Sequence, residues 1–294
     1  MVDLIKFRIK LIQRYLSSDS KFSKLPDGLK QNLKKSLFLP QKKFVKIFAQ
    51  YFESQAKKNQ YYDFGRIKMF FQNIDNKDRI LVETFLMFLY PYFYGTKIFN
   101  PLTMSESLYW GDKFKINKED IVLDLGSNIG GFSLVAGLLA KNGKVYAFDP
   151  SDNNCYFARR NLKLNGIKNV KVNQKAVTNK DGIVKFYFDK QSPASSAVVP
   201  DDFRGKLAQE VESITIDTFV ETEKIKQVDF IKMDIEGSER AALKGAAKTI
   251  KRFRPKLSVC TYHLKDDIEV LPRLIWHFSP DYKIEQRVGK LFAY

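Results

Sequence analysis

From Ile121 to its end the chain alternates short, β-branched apolar runs with longer stretches of helical periodicity, and few folds accommodate that alternation. Strands read at 121–125 (IVLDL), 144–148 (KVYAF), 170–174 (VKVNQ), 228–233 (VDFIKM), 256–262 (KLSVCTY), 282–287 (YKIEQR) and 290–293 (KLFA). Helices fit between them at about 131–141, 152–165, 237–251 and 266–278. Only Val288 and Gly289 separate the last two strands. No crossover helix fits in two residues, so those strands are antiparallel neighbours. The expected architecture is an α/β, doubly wound, Rossmann-like sheet of seven strands with the last one reversed, where an ordinary dinucleotide fold has six parallel strands.

Two further β runs, 182–188 (GIVKFYF) and 211–216 (VESITI), interrupt the alternation between the third and fourth sheet strands. The segment between them, DKQSPASSAVVPDDF (189–203), is rich in small residues and reads as a lid or substrate loop that brings Ser195 toward a binding site.

Residues 1–105 have a different character. Lysines and large apolar residues recur at helical spacing, broken at LPDG (25–28), FLPQ (38–41) and YPYFYG (90–95), which marks a basic, mainly helical region ahead of a second domain at 106–294. The net charge is +17, and ten of those charges fall in the first 110 residues. Such a face suits nucleic acid, anionic lipid or an acidic substrate, and charge alone does not choose. Val2, Ile5, Ile9, Ile12 and Leu16 form an apolar stripe beside Lys6, Arg8, Lys10 and Arg14, which can lie on an anionic membrane surface or pack on the rest of the region. No run of 18 apolar residues and no signal cleavage pattern occurs, so a cytoplasmic protein is expected, with peripheral contact at the inner membrane face as an option. Cys155 and Cys260 are far apart and have no metal-type spacing, so they read as reduced residues, and no metal site is assigned from them.

The most informative loop is DLGSNIGG, Asp124 to Gly131, directly after the first strand. In an open α/β sheet the ligand lies at the carboxyl ends of the strands, and glycines there let the backbone turn tightly beneath it. The spacing is GxxxGG and not GxGxxG, and GxxxxGK[ST] is absent, so a pyrophosphate ligand loses its support. Asp124 at the loop would repel a pyrophosphate and attract the ammonium and sulfonium end of S-adenosylmethionine. Asp149 closes the second strand, where an acidic residue accepts hydrogen bonds from ribose hydroxyls. Asp234 and Glu236 follow the fourth strand in DFIKMDIEGSE, and as i and i+2 of a strand they would share a face at the cleft edge. His263 ends the fifth strand, with Tyr262 expected to point to the other face, and an imidazole with an ordinary pKa near 6.5 suits a general base. His277, beside Trp276 in a predicted helix, reads as packing.

The segments DIVLDLGSNIGGFSL, GKVYAFDPSDNN, NLKLNGIKNV, QKAV, SITIDTF, VDFIKMDIEGSERAALKGA and RPKLSVCTYHLKDD, in that order over about 105–294, resemble the FkbM family of S-adenosylmethionine-dependent methyltransferases. The reversed final strand agrees with their class I methyltransferase fold. The resemblance implies that Asp124, Gly126, Ser127, Asn128 and Gly130 hold the methionine portion of S-adenosylmethionine and Asp149 the ribose. It places Gln174 to Val177, with Ala176, beside the adenine, and Asp234, Glu236 and His263 at the acceptor. It further implies methyl transfer to a hydroxyl oxygen, on a carbohydrate such as a glycan or glycolipid. Many members carry Glu where this chain has Asp149, and ribose binding tolerates either. A divalent cation at Asp234 or Glu236 is left undecided, as is which of Asp234, Glu236 and His263 takes the proton. An RNA methyltransferase, favoured by the charge, and a catalytically silent binding subunit are the rival readings. No RNA-binding motif accompanies the charge, the Asn/Asp-Pro-Pro signature of amino-group methylation on bases is absent, and a silent copy has no need of Asp124, Asp149, Asp234 and Glu236 together.

Overall fold

The computed structural model describes residues 62–63, 67–70, 109, 114–188, 207–287 and 289–294. The apolar stripe of residues 2–16, the helical reading of most of 1–105 and the loop with Ser195 lie outside the described residues. The chain forms two compact units, Met1–Leu108 and Tyr109–Tyr294. In the first, β1 (Tyr62–Asp63) pairs antiparallel with β2 (Lys68–Met69), a local departure from the helical reading. Among the described residues no helix is long and apolar enough to cross a membrane.

The second unit runs β3 (Ile121–Leu125), α1 (Gly131–Leu139), β4 (Lys144–Phe148), α2 (Asp152–Leu164), β5 (Val170–Asn173), β6 (Ala176–Val177), β7 (Gly182–Phe188), β8 (Leu207–Ile214), α3 (Ile216–Thr222), β9 (Phe230–Met233), α4 (Glu239–Gly245), α5 (Ala247–Phe253), β10 (Lys256–Cys260), α6 (Asp267–Phe278), β11 (Ile284–Arg287) and β12 (Lys290–Ala293). Seven strands form one sheet in the order β11-β12-β10-β9-β3-β4-β5. β12 alone runs against its neighbours β10 and β11, as the two-residue connection requires. Outward from β3 come β4 and β5, and outward from β9 comes β10 and then the antiparallel pair β12 and β11, so the order reverses between β3 and β9. The loops leaving those two strands therefore flank the crevice where doubly wound sheets bind ligands.

The central strands are buried on both faces, as apolar parallel strands must be. Leu123, Leu125, Ile231, Met233, Leu257 and Val259 pack with Phe219, Leu243, Ile250, Leu271 and Ile275 in one core. A separate three-stranded sheet, β6-β8-β7, carries the smaller cluster Ala176, Phe186 and Val211.

Two boundaries differ from the sequence reading, each for a visible reason. Ile216 does not end a strand but begins α3, because the Thr215 hydroxyl accepts from the amide of Thr218 and caps a helix there. The helix expected over 237–251 is two helices. Asp217, from α3, accepts from the amides of Lys248 and Thr249 and caps the second of them from outside. At Gly245 the chain passes so close to Thr178 that a Cβ would stand 2.1 Å from its carbonyl oxygen.

Candidate active site

The loop after β3 is built from alternating left-handed residues: Gly126 at φ 80°, Asn128 at 49° and Gly130 at 87°. The amides of Gly126 and Ser127 both donate to the carbonyl of Phe148, at the end of β4, at 2.9 Å. The Asn128 amide donates to Asp149 at 2.9 Å. Gly126 is required by the protein itself, since a Cβ there would lie 1.8 Å from the carbonyl oxygen of Asp234. Gly130 lies against α2, where a Cβ would meet Ala158 at 3.2 Å. The two glycines thus serve close packing of the loop on neighbouring backbone, where the sequence suggested clearance for a ligand.

Asp124 also turns inward. It is fully buried, accepts from the Ser133 hydroxyl at 2.5 Å and pairs with the Lys232 ammonium at 3.0 Å. Lys232 is its register partner on β9, equally buried, and also donates to the carbonyl of Gly126 at 2.6 Å. Its charge is thereby matched inside the protein, and the attraction for a sulfonium argued from this residue is not carried by its carboxylate. Burial alone would lower the Lys232 pKa, but Asp124 and Asp234 outweigh that and hold it above its usual value.

Asp149 is buried beyond β4 and accepts from the amide of Ser151, the side-chain amide of Asn154 and the amide of Asn128. Burial pushes its pKa up to about 6, with those three donors pulling against it. Oδ2 takes one of the three bonds and keeps acceptor capacity for another donor. The Ser127 hydroxyl, in the same loop, is buried and has no hydrogen-bond partner. Ala176 is buried in the β6-β8-β7 sheet against Phe186 and Val211, so its side chain is committed to packing.

The second loop holds the acidic cluster. β9 ends at Met233, so Asp234 and Glu236 lie in a turn and not on a strand face; Glu236 is left-handed at φ 55° and Gly237 at 95°. The strand expected to reach Tyr262 likewise ends at Cys260. The bend beyond it lets Tyr262 and His263 approach the same carboxylate, contrary to the alternation expected of a strand. Asp234 accepts from the hydroxyls of Tyr109 at 2.5 Å and Tyr262 at 3.0 Å, and its Oδ1 is 3.5 Å from His263 Nε2. Glu236 Oε2 is also 3.5 Å from Nε2. On the other side of the ring, Nδ1 lies 2.9 Å from Glu239 Oε1. Glu239 is fully buried and also accepts from the amides of Ile235 and Gly237, so one side chain fixes both the turn and the histidine.

These contacts set the charges. For Asp234 burial would raise the pKa, but Lys232, His263 and the Tyr109 hydrogen bond bring it down to about 2. Burial pushes Glu236 up to about 7, with His263 opposing and the carboxylates of Asp234 and Glu239 adding to the rise. For His263 burial would lower the pKa, but the Glu239 hydrogen bond and the three surrounding carboxylates raise it to about 9. Metal-free, the histidine carries a proton at neutral pH, so the free base expected from an ordinary imidazole is not its resting state.

The two loops touch. The Asp234 amide donates to Leu125 at 3.1 Å, its carbonyl fills the space over Gly126, and Lys232, two residues before Asp234, donates to the carbonyls of Leu125 and Gly126. Gly126, Ser127, Asn128, Gly130 and Asp149 lie on one side of this junction, with Asp124 buried against Lys232, and Asp234, Glu236 and His263 lie on the other. Lys232, Glu239, Tyr109 and Ser133 were not singled out from the sequence. An unlike charge in each of two otherwise apolar strands, Asp124 in IVLDL and Lys232 in FIKM, was the signal for the buried pair.

A sheet with a reversed seventh strand and its ligand crevice between the first and fourth strands is the class I methyltransferase fold. The methyltransferase FkbM domain matches residues 124–283, more than half of the chain, and the chain belongs to that family of S-adenosylmethionine-dependent methyltransferases. "Methyltransferase 1" of Beauveria bassiana (strain ARSEF 2860) is 25% identical over 145 residues, 43% of this chain and 58% of that protein. A methyltransferase FkbM from Methylobacillus flagellatus KT aligns over 97% of this chain and 60% of its own, at 18% identity and TM-score 0.48. A SAM-dependent methyltransferase from Aquifex aeolicus aligns over 62% of this chain and 84% of its own, at 19% identity and TM-score 0.36. The residues present fit the cofactor: a buried hydroxyl at Ser127 lacks a partner inside the glycine loop, and Asp149 keeps acceptor capacity at the end of β4.

Proposed function

We propose that the protein transfers the methyl group of S-adenosylmethionine to a hydroxyl oxygen, on a sugar of a glycan or glycolipid. The observation that supports this reading is the backbone contact between the two loops at Gly126 and Asp234, which brings the glycine loop beside the carboxylates of Asp234 and Glu236. Bound at the first loop, S-adenosylmethionine supplies an electrophilic methyl carbon on a sulfonium centre. Ser127, through its unpaired hydroxyl, would hold its methionine portion, and Asp149 the ribose. Asp234, Glu236 and His263 would receive the acceptor hydroxyl, whose proton passes to the carboxylates of this cluster as the oxygen attacks the methyl carbon and the sulfur departs as the neutral thioether. Tyr109 and Tyr262 fix Asp234 by two hydrogen bonds, so little reorganisation is needed when the acceptor arrives. Alignment of the two reactants is worth about 7 to 11 kcal/mol in well-oriented systems, which makes positioning the main contribution of such a site.

Mass spectrometry of cellular glycans tests the reading. Cells expressing the protein should carry a species heavier by one methylene, absent when the gene is deleted and not restored by Glu236→Gln. Methylation in purified RNA with unchanged glycans would overturn the hydroxyl-on-sugar assignment.

A further inference from the structure

We infer that the cluster beneath Glu236 is a binding site for one divalent cation of the first transition row, with His263 Nε2, Asp234 and Glu236 as ligands. The decisive atom is Nε2. The His263 side chain is 92% buried, and Nε2 has no hydrogen-bond partner although it faces two carboxylates. At 3.5 Å each, Asp234 Oδ1 and Glu236 Oε2 are too far for a good hydrogen bond. Each is at about the spacing from Nε2 that two ligands of one ion have, because ligand atoms about 2.1 Å from a tetrahedral metal lie roughly 3.4 Å apart.

The rest of the surroundings suit the same role. Asp234, Glu239 and His263 each offer a ligand atom within 4.8 Å of the others. Glu239 has already used its oxygens on two backbone amides and on Nδ1, which makes it the support of the histidine and leaves Nε2 to point at the ion. A carboxylate on the far nitrogen of a ligating histidine fixes the ring and raises its basicity. Three carboxylates meet one imidazole here, with the ammonium of Lys232 shared between Asp124 and Asp234 and that of Lys290 also acting on Asp234. One nitrogen and two carboxylate oxygens favour Mn²⁺, Fe²⁺ or Zn²⁺ over Ca²⁺ or Mg²⁺. The site stands on this geometry. Its catalytic part, polarising the acceptor hydroxyl as a Lewis acid, rests on the reading proposed above.

Full-length protein stripped with chelator and titrated with Mn²⁺, with free Mn²⁺ followed by electron paramagnetic resonance, should bind one ion per chain. Glu236→Gln and His263→Gln should each weaken that binding at least tenfold, and Glu239→Gln by about 10- to 100-fold through the histidine. Circular dichroism and S-adenosylmethionine calorimetry on the same samples should match wild type. Glu236 is about one-third exposed, so its Gln variant keeps the test valid should the histidine variant fail to fold. Absence of Mn²⁺ and Zn²⁺ binding, or equal binding by wild type and Glu236→Gln, would overturn the site while leaving the methyltransferase reading intact. Loss of S-adenosylmethionine binding alone would leave the cation site and remove its catalytic role.

Discussion

The loop after β3 and the turn after β9 sit side by side at the same sheet edge, yet their polar groups are used in opposite ways. In the first, Asp124 is matched by Lys232 and Ser133, and Asp149 by three donors, so the charges are satisfied within the protein. In the second, three carboxylates crowd one histidine, Glu236 is pushed up to about 7, and Nε2 is left without a hydrogen bond. A buried polar group that lacks its partner costs roughly 1 to 3 kcal/mol, and a fold keeps such a cost chiefly where a ligand will repay it. The contrast teaches that the cofactor side is pre-shaped, with its carboxylates paired or hydrogen-bonded and the uncharged Ser127 hydroxyl as its open group, whereas the acceptor side crowds charges around one histidine.

Breaking the paired side should cost the most stability. Lys232→Met strands the buried Asp124 carboxylate and should destabilise the protein by about 3 to 5 kcal/mol in urea unfolding, while Asp124→Asn with Lys232→Met should recover part of the loss. Additive losses would show that the pair is not coupled. On the crowded side, Glu236→Gln should reduce turnover by about 10²- to 10⁴-fold with no loss of stability, the range of an acid–base group. Gly126→Ala should cost more than the roughly 1 to 3 kcal/mol of a left-handed non-glycine residue, because its Cβ also meets the Asp234 carbonyl. The smallest effect is a matter of pH. In metal-free buffer His263 has its pKa raised from 6.5 to about 9, so its contribution to stability is fully present below 6.5 and is lost as pH rises through about 9. Unfolding curves between pH 6 and 10 should show that decline in wild type and a weaker one in Glu239→Gln; identical curves would remove Glu239 as the cause.

Much of this was legible in the sequence because parallel sheets announce themselves by continuous apolar runs: all seven sheet strands were placed, and the Val288-Gly289 connection alone required the reversed last strand. What alternation could not give was geometry past a strand end. Asp234 and Glu236 both reach His263 because the chain leaves extended conformation after Met233 and again after Cys260, so the i, i+2 argument grouped the two carboxylates for the wrong reason, and Tyr262 was sent to the opposite face. Asp124 was misjudged because a carboxylate beside a glycine loop looks ligand-facing until its register partner is known. Glu239 was invisible because its effect depends on reaching back to Ile235 and across to His263, contacts that no local spacing encodes.

The division of labour between the two loops is tested most directly by calorimetric titration of S-adenosylmethionine into wild type, Glu236→Gln and Asp149→Asn. Wild type and Glu236→Gln should bind with equal affinity, and Asp149→Asn at least tenfold more weakly. Absence of binding by wild type, or weakened binding in Glu236→Gln with Asp149→Asn unaffected, would contradict the assignment of cofactor to the first loop and acceptor chemistry to the second.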